Sequence, residues 1–214
     1  MKIAKYIHSC LVVETPGRLA VFDPGLMSVE ALGAAIPSLS RLDDIFITHV
    51  HPDHCDPGLI KQLLAKFPDA RVTGPAEVVA ALAKEGITAG DQAPEGVVFF
   101  ESPHEEGASL FPAPEERGYH YLGQLSDPGD SHSFKETKAI LALPVQAPWG
   151  STRNAVSLAL SLKPRHVLPI HDWHWSDAAR EQMYGRLEAI LGKQGITFHK
   201  LVTGQPVDIE VNPS

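Results

Sequence analysis

Three histidines and two aspartates fall within nine residues, Thr48-His49-Val50-His51-Pro52-Asp53-His54-Cys55-Asp56, directly after the apolar run Ile45-Phe46-Ile47. Neutral imidazoles and carboxylates are the ligands a borderline divalent metal takes, zinc above all. Any one of these histidines could be an ordinary surface or hydrogen-bonded core residue, but packing has no need of the whole set. A regular helix or strand would not bring them all to one point. A strand that ends in a tight loop and then enters a helix would.

The flanking residues predict that arrangement. Asp44 to Ile47 reads as a buried strand, and a helix starts at Pro57, with Leu59, Ile60, Leu63, Leu64 and Phe67 recurring about every 3.6 residues. Pro57 suits a first helical turn, where its missing N–H has no partner to lose, and Asp56 suits the N-cap. The cluster would sit at a strand's carboxyl end and a helix's amino end, where electron-rich substrate groups are favoured.

Two ions would need more ligands, and the ends of other apolar runs supply candidates. His104 follows Val97 to Pro103, and its neighbours Glu105 and Glu106 read as solvated. Asp130 lies in the turn Asp127-Pro128-Gly129-Asp130-Ser131, whose glycine lets the backbone approach an ion. His171 closes Val167-Leu168-Pro169-Ile170. His132, Asp172 and His174 could face a substrate or simply be exposed, and His8 could also reach the cavity. Asp23, after Ala20-Val21-Phe22, would be buried enough to need partners; it either caps its own turn or supports a metal ligand.

Elsewhere, Ile3–Ile7, Cys10–Glu14 and Leu19–Phe22 read as an opening meander, and Ser28–Leu42 as a short helix and a loop. Val72-Thr73 is a strand and Ala76–Lys84 a helix closed by Gly86. Val97–Phe100, Ala108–Phe111, Tyr119–Leu122 and Ile140–Leu143 are strand candidates. A helix from Ser151 or Thr152 to Leu162, a strand His166–Ile170, a helix from Ser176-Asp177 to Leu191 and a strand Val207–Val211 complete the chain. This order favours an α/β arrangement of two packed sheets with helices outside, two similar halves in one domain spanning 1–214. A single doubly wound sheet is the alternative, without a Gly-rich phosphate loop after its first strand.

The chain has 214 residues, 43% of them hydrophobic, and a formal net charge of -8. That suits one substantial core and gives nucleic acid no long-range attraction. Only Cys10 and Cys55 are present, so no disulfide framework is expected and a reducing cytoplasm is the default compartment. No apolar stretch has membrane-spanning length.

The string Thr48-His49-x-His51-x-Asp53-His54 resembles the hallmark of metallo-β-lactamase-fold hydrolases. Phe22-Asp23-Pro24-Gly25, His104, Pro128-Gly129-Asp130-Ser131 and Leu168-Pro169-Ile170-His171 stand around it in matching order. With aspartate at position 56, the motif is most similar to the L-ascorbate-6-phosphate-lactonase-like branch of Zn-dependent hydrolases. The resemblance implies a four-layer αβ/βα sandwich with a two-metal site. His49, His51 and His104 would hold one ion and Asp53, His54 and His171 the other, with Asp130 bridging. Asp23 would support a ligand and Asp56 orient a ligand imidazole. His120 and His132 are the replacements for His104. Val145-Gln146-Ala147-Pro148-Trp149-Gly150 and Asn154 depart from the family pattern and leave the substrate open.

Such a ligand set would hold two divalent ions, Zn2+ first and Mn2+ or Fe as alternatives, about 3.5–4 Å apart. They would share a water, lower its pKa and present hydroxide to an electrophilic centre. Asp53 and Asp130, ionised beside the cations, are the candidates to take the proton. His171 and His174 could contact an oxyanion or transfer a proton, and Trp149, Trp173 and Trp175 could form a flat apolar wall or simply pack their loops. The expected activity is hydrolysis of a small ester, lactone or amide, by a monomer or a homo-oligomer. The alternatives are a phosphodiesterase of the same fold and a non-catalytic metal-binding or sensing module.

Overall fold

The computed structural model describes residues 1–105 and 112–211. The α/β chain divides into two compact units, each with its own six-stranded sheet, so the single doubly wound sheet is not what forms. The first unit comprises Met1–Ala93, Pro114–Glu116 and the chain from Leu201. The second runs from Pro94 to Lys200 apart from Pro114–Glu116.

In the first unit the strands lie in the order β12 (Val207–Asp208), β1 (Lys2–Lys5), β2 (Leu11–Thr15), β3 (Arg18–Phe22), β4 (Asp44–Phe46) and β5 (Arg71–Thr73). Pairing is antiparallel as far as β3 and parallel through β4 and β5. Parallel neighbours need a crossover, supplied by α1 (Val29–Ala35) and α2 (Pro57–Lys66); α3 (Ala76–Lys84) follows β5. Val12, Val21, Ile45 and Ile47 pack on one face against Leu32, Leu59, Ile60, Leu63 and Leu82 from these helices. Leu11, Val13, Ala20, Phe22 and Phe46, on the other face, are buried too. Strands buried on both faces read as continuous apolar runs, which is how they look in the sequence. Asp44, fully buried in β4, is held by Arg18 Nε at 2.7 Å and Arg71 Nη2 at 2.9 Å, tying three strands together.

The second unit repeats the scheme in the order β11 (Thr197–Phe198), β10 (His166–Ile170), β9 (Ile140–Pro144), β8 (Leu125–Asp127), β7 (Gly118–Tyr121) and β6 (Val97–Phe100). It is antiparallel from β6 to β8 and parallel from β8 to β11. Helices α4 (Thr152–Leu162) and α5 (Asp177–Gly192) cross from β9 to β10 and from β10 to β11, N-capped by the hydroxyls of Ser151 and Ser176, while a helix-free connection joins β8 to β9. Leu141, Leu143, Val167, Ala155, Leu187 and Leu191 form its core.

Most expected elements form within a residue or two. Strands β8 and β11 carry too few residues to show a period, and the last strand pairs only over Val207–Asp208 rather than to Val211. The expected strand Ala108–Phe111 lies outside the described residues.

In each sheet the chemistry-bearing residues follow the carboxyl ends of parallel strands, where ligands bind in open α/β sheets. Asp23 follows β3 and the Thr48–Asp56 loop follows β4; Asp130, Trp149 and His171 follow β8, β9 and β10. Because β1 runs in the same sense as β3, the connection from β1 to β2, with His8 on it, turns at the same edge as Asp23.

Two backbone bonds clamp the Asp23–Leu26 turn to the histidine loop: Leu26 N to Pro52 O at 2.7 Å and Asp56 N to Pro24 O at 3.0 Å. The approach is so close that a Cβ on Gly25 would stand 1.8 Å from the carbonyl oxygen of Asp53. Since backbone, not a flexible side chain, blocks that position, Gly25→Ala should cost about 3 kcal/mol, read as a lowered urea midpoint. An unchanged midpoint would show that the clamp does not set the loop.

Candidate metal centre

In the first unit, His49 and His54 are fully buried. The Nδ1 of His54 lies 2.7 Å from Asp23 Oδ2, and the Nδ1 of His49 lies 3.1 Å from Glu116 Oε2 and 3.1 Å from the Thr48 hydroxyl. A carboxylate at Nδ1 fixes the proton there, so each ring turns an Nε2 lone pair outward. Asp23 is itself fixed, accepting the Thr48 N–H on Oδ1 at 2.7 Å and the Thr48 hydroxyl on Oδ2 at 2.7 Å. Its backbone is left-handed, φ 44, a conformation aspartate tolerates better than most residues.

The outward nitrogens converge. His49 Nε2 and His51 Nδ1 are 3.1 Å apart. Two nitrogens each about 2.0–2.1 Å from a tetrahedral zinc would be separated by about 3.3 Å. Asp53 Oδ2 lies 3.1 Å from His8 Nε2 and 3.9 Å from His54 Nε2. Asp56 caps α2, accepting the Leu59 N–H at 2.7 Å. Cys55 takes no part as a thiolate: burial first, then the charges of Asp23 and Asp56, push its thiol up to about 12.

In the second unit, His104, Asp130 and His171 come together. His171 Nε2 is 3.0 Å and His104 Nε2 3.8 Å from Asp130 Oδ2, to which the Trp149 indole N–H also donates at 3.1 Å. The Nδ1 of His171 is bonded to Gln146 O and that of His104 to Glu105 O, both at 2.8 Å. Each Nδ1 therefore carries the proton. His132 points its Nε2–H at Pro144 O at 2.8 Å, and burial holds its pKa below the usual imidazole value. His120 sits within the sheet, between the Ser126 hydroxyl at 2.9 Å and Glu136 at 3.2 Å. His174 is exposed, nearly parallel to the His171 ring with centroids 6.1 Å apart. Trp173 is exposed and Trp175 packs on the core.

These donors suit a divalent cation. Once Nδ1 of His171 is protonated, its Nε2 and the Asp130 carboxylate are two acceptors 3.0 Å apart, an arrangement that needs a proton or a cation to hold it. His49 and His51 crowd their nitrogens in the same way.

Three supports escape a reading of the sequence. Glu116 sits in what looks like a solvated acidic loop, yet its side chain is fully buried on His49. Its segment is anchored by the Glu115 carboxylate accepting from Glu77 N and the Glu77 carboxylate accepting from Glu115 N. Glu105, expected in solvent, accepts from His132 N at 2.8 Å and the Ser133 hydroxyl at 2.7 Å, pinning the loop beyond Asp130. Asp172 is buried rather than facing substrate or solvent. It takes the Tyr184 hydroxyl and Arg180 Nε, bracing the residue after His171 against α5. Only the acidic Pro-rich composition of 112–116 hinted at a constrained segment; the other two carried no signal.

A family model described as the metallo-beta-lactamase superfamily matches residues 4–142. Protein Rv0786c of Mycobacterium tuberculosis is 29% identical over 202 residues, covering 87% of this chain and 91% of that one. A UPF0173 protein of Pyrococcus abyssi is 30% identical over 187 residues, covering 80% and 83%. Among solved structures, the metallo hydrolase Igni18 of the hyperthermophilic archaeon Ignicoccus hospitalis superposes with a TM-score of 0.72 at 18% identity, over 99% of both chains. The chain belongs to the metallo-beta-lactamase superfamily.

Proposed function

We propose that this chain, acting as one hydrolase domain, cleaves a small ester, lactone or amide with the help of two divalent ions. Zinc is preferred, and manganese or iron would suit the same nitrogen and oxygen donors. His49, His51 and His104 would hold one ion and Asp53, His54 and His171 the other, with Asp130 shared. The observation that carries this reading is Asp130, whose Oδ2 faces the Nε2 atoms of two imidazoles whose Nδ1–H groups donate to backbone carbonyls.

When bound, the ions supply an acidified water as nucleophile and neutralise charge on the substrate oxygen. The chain supplies the rest. Asp23 and Glu116 hold the protons of His54 and His49 at Nδ1, which keeps both Nε2 atoms basic. A carboxylate oxygen of Asp53 or Asp130 takes the proton released at attack and returns it to the leaving group. Trp149 adds an apolar face against Asp130 and His171, suiting a small organic substrate.

A net charge of -8 weighs against nucleic acid as substrate. Among the described residues no helix is long and apolar enough to cross a membrane, and both cysteines are free thiols; a cytoplasmic enzyme, monomeric or homo-oligomeric, fits.

Elemental analysis of the purified protein should give two equivalents of metal. On a panel of lactones, esters, amides and phosphodiesters, turnover should favour the carbonyl substrates and vanish on metal removal. His51→Ala and Asp130→Ala should abolish it with melting temperature nearly unchanged. Full activity in metal-stripped protein would sink the metal-dependent mechanism. Preference for phosphodiesters would replace the substrate class, and metal without turnover on any substrate would favour the sensing module.

Glu116→Gln removes the carboxylate behind His49 while keeping its shape. Metal affinity should fall about 10–100-fold by chelator competition. Wild-type affinity in this variant would mean that Glu116 does not set the His49 donor.

A further inference from the structure

His8 stands outside the ligand set just given, yet its side chain is 1% exposed. Its Nε2 is 3.1 Å from Asp53 Oδ2, and its ring meets His54 edge-on with centroids 5.6 Å apart. A connection between two antiparallel strands does not require a buried imidazole. This one is delivered at a conformational cost, because Ile7 and His8 are consecutively left-handed, φ 63 and φ 54, and neither is glycine. For the β-branched Ile7 that region is especially unfavourable. Bonds from Tyr6 N to Cys10 O at 2.8 Å and from Cys10 N to Ile7 O at 3.1 Å hold the turn shut. Strain persists where the surroundings over-determine it, and it gathers at functional sites.

We propose that His8 is a positioning residue for Asp53, its Nε2–H donating to Oδ2 so that the carboxylate is oriented before metal binds. The inference rests on the reading of Asp53 as a metal ligand. The strained turn places the His8 ring, and the ring places the carboxylate. Asp53 has 29% of its side chain exposed, and a donor fixed on the buried His8 ring gives its Oδ2 a set direction. Ligating carboxylates are themselves hydrogen-bonded in well-built metal sites, and losing such a partner costs affinity rather than the fold.

The test uses full-length wild type, His8→Ala and His8→Gln, with zinc and cobalt(II) affinities measured by chelator competition, the cobalt absorption spectrum at saturation, and melting of the metal-free proteins. In His8→Ala one of the two equivalents should bind about 10–100-fold more weakly, with the other equivalent and the metal-free melting curve unchanged. His8→Gln, whose amide N–H can reach the same oxygen, should recover most of the loss. The saturated cobalt spectrum should match wild type in both variants, because no ligand has been removed. Unchanged affinities in His8→Ala would overturn the proposal. So would a shifted cobalt spectrum, which would make His8 a ligand, or loss of both equivalents with a lowered melting temperature, which would make it a structural residue. A wild type that binds no metal would overturn the reading of Asp53 as a ligand, and this inference with it.

Discussion

The first unit's site depends on the buried carboxylate of Asp23. It stands at the end of β3 and takes three hydrogen bonds from the loop that follows β4, two from Thr48 and one from His54. Bonds to an ionised acceptor are roughly twice as strong as neutral ones, and burial raises the cost of leaving that acceptor unsatisfied. The parallel pairing of β3 with β4 sets the two strand ends side by side. The Asp23 contacts convert that adjacency into a fixed tautomer and ring orientation for His54. Gly25 then lets the next residues of the turn lie against the backbone of Asp53 and His54.

Such precision is costly to the fold. Asp23, Ile7 and His8 in the first unit and His171 in the second have positive φ. At about 1–2 kcal/mol for each left-handed non-glycine residue, the total is comparable to the net stability of many domains. The offset lies in the two cores, where each fully buried Leu, Ile or Val contributes about 1.5–3 kcal/mol. Rigid sheets carry the strain at their ends, and the strained residues aim side chains that an unstrained turn would leave in solvent.

Much of this was legible in the sequence, for identifiable reasons. The histidine cluster announces itself because no structural role calls for so many metal-competent side chains in one loop, and the buried strands before Asp23, Thr48 and His171 show as apolar runs. His104 was separable from His120 and His132 only by the order of motifs. The structure separates them by contact, placing His104 beside Asp130 and binding His120 to Ser126 and Glu136 within the sheet. Glu116, Glu105 and the Asp172–Tyr184–Arg180 brace were not legible. Each turns on a carboxylate, and nothing local distinguishes one that meets a distant partner from one that meets water. Burial of Glu116 depends on the chain between β6 and β7 returning to the first unit, a feature of topology with no periodicity to reveal it.

The two units fix their imidazoles by different chemistry. In the first, His49 and His54 place Nδ1–H on carboxylates; in the second, His104 and His171 place it on backbone carbonyls. A carboxylate partner draws the proton more strongly and leaves the opposite nitrogen richer in electrons, so His49 and His54 are the stronger donors. A carbonyl partner fixes the ring equally well but leaves a weaker donor and adds no negative charge to the site. The second unit instead carries its charge on Asp130, in direct contact with the ring nitrogens and the Trp149 indole N–H. Under the proposed ligand set the strongest donors would be the fully buried His49 and His54, while Asp130 would stand beside the weaker donors His104 and His171.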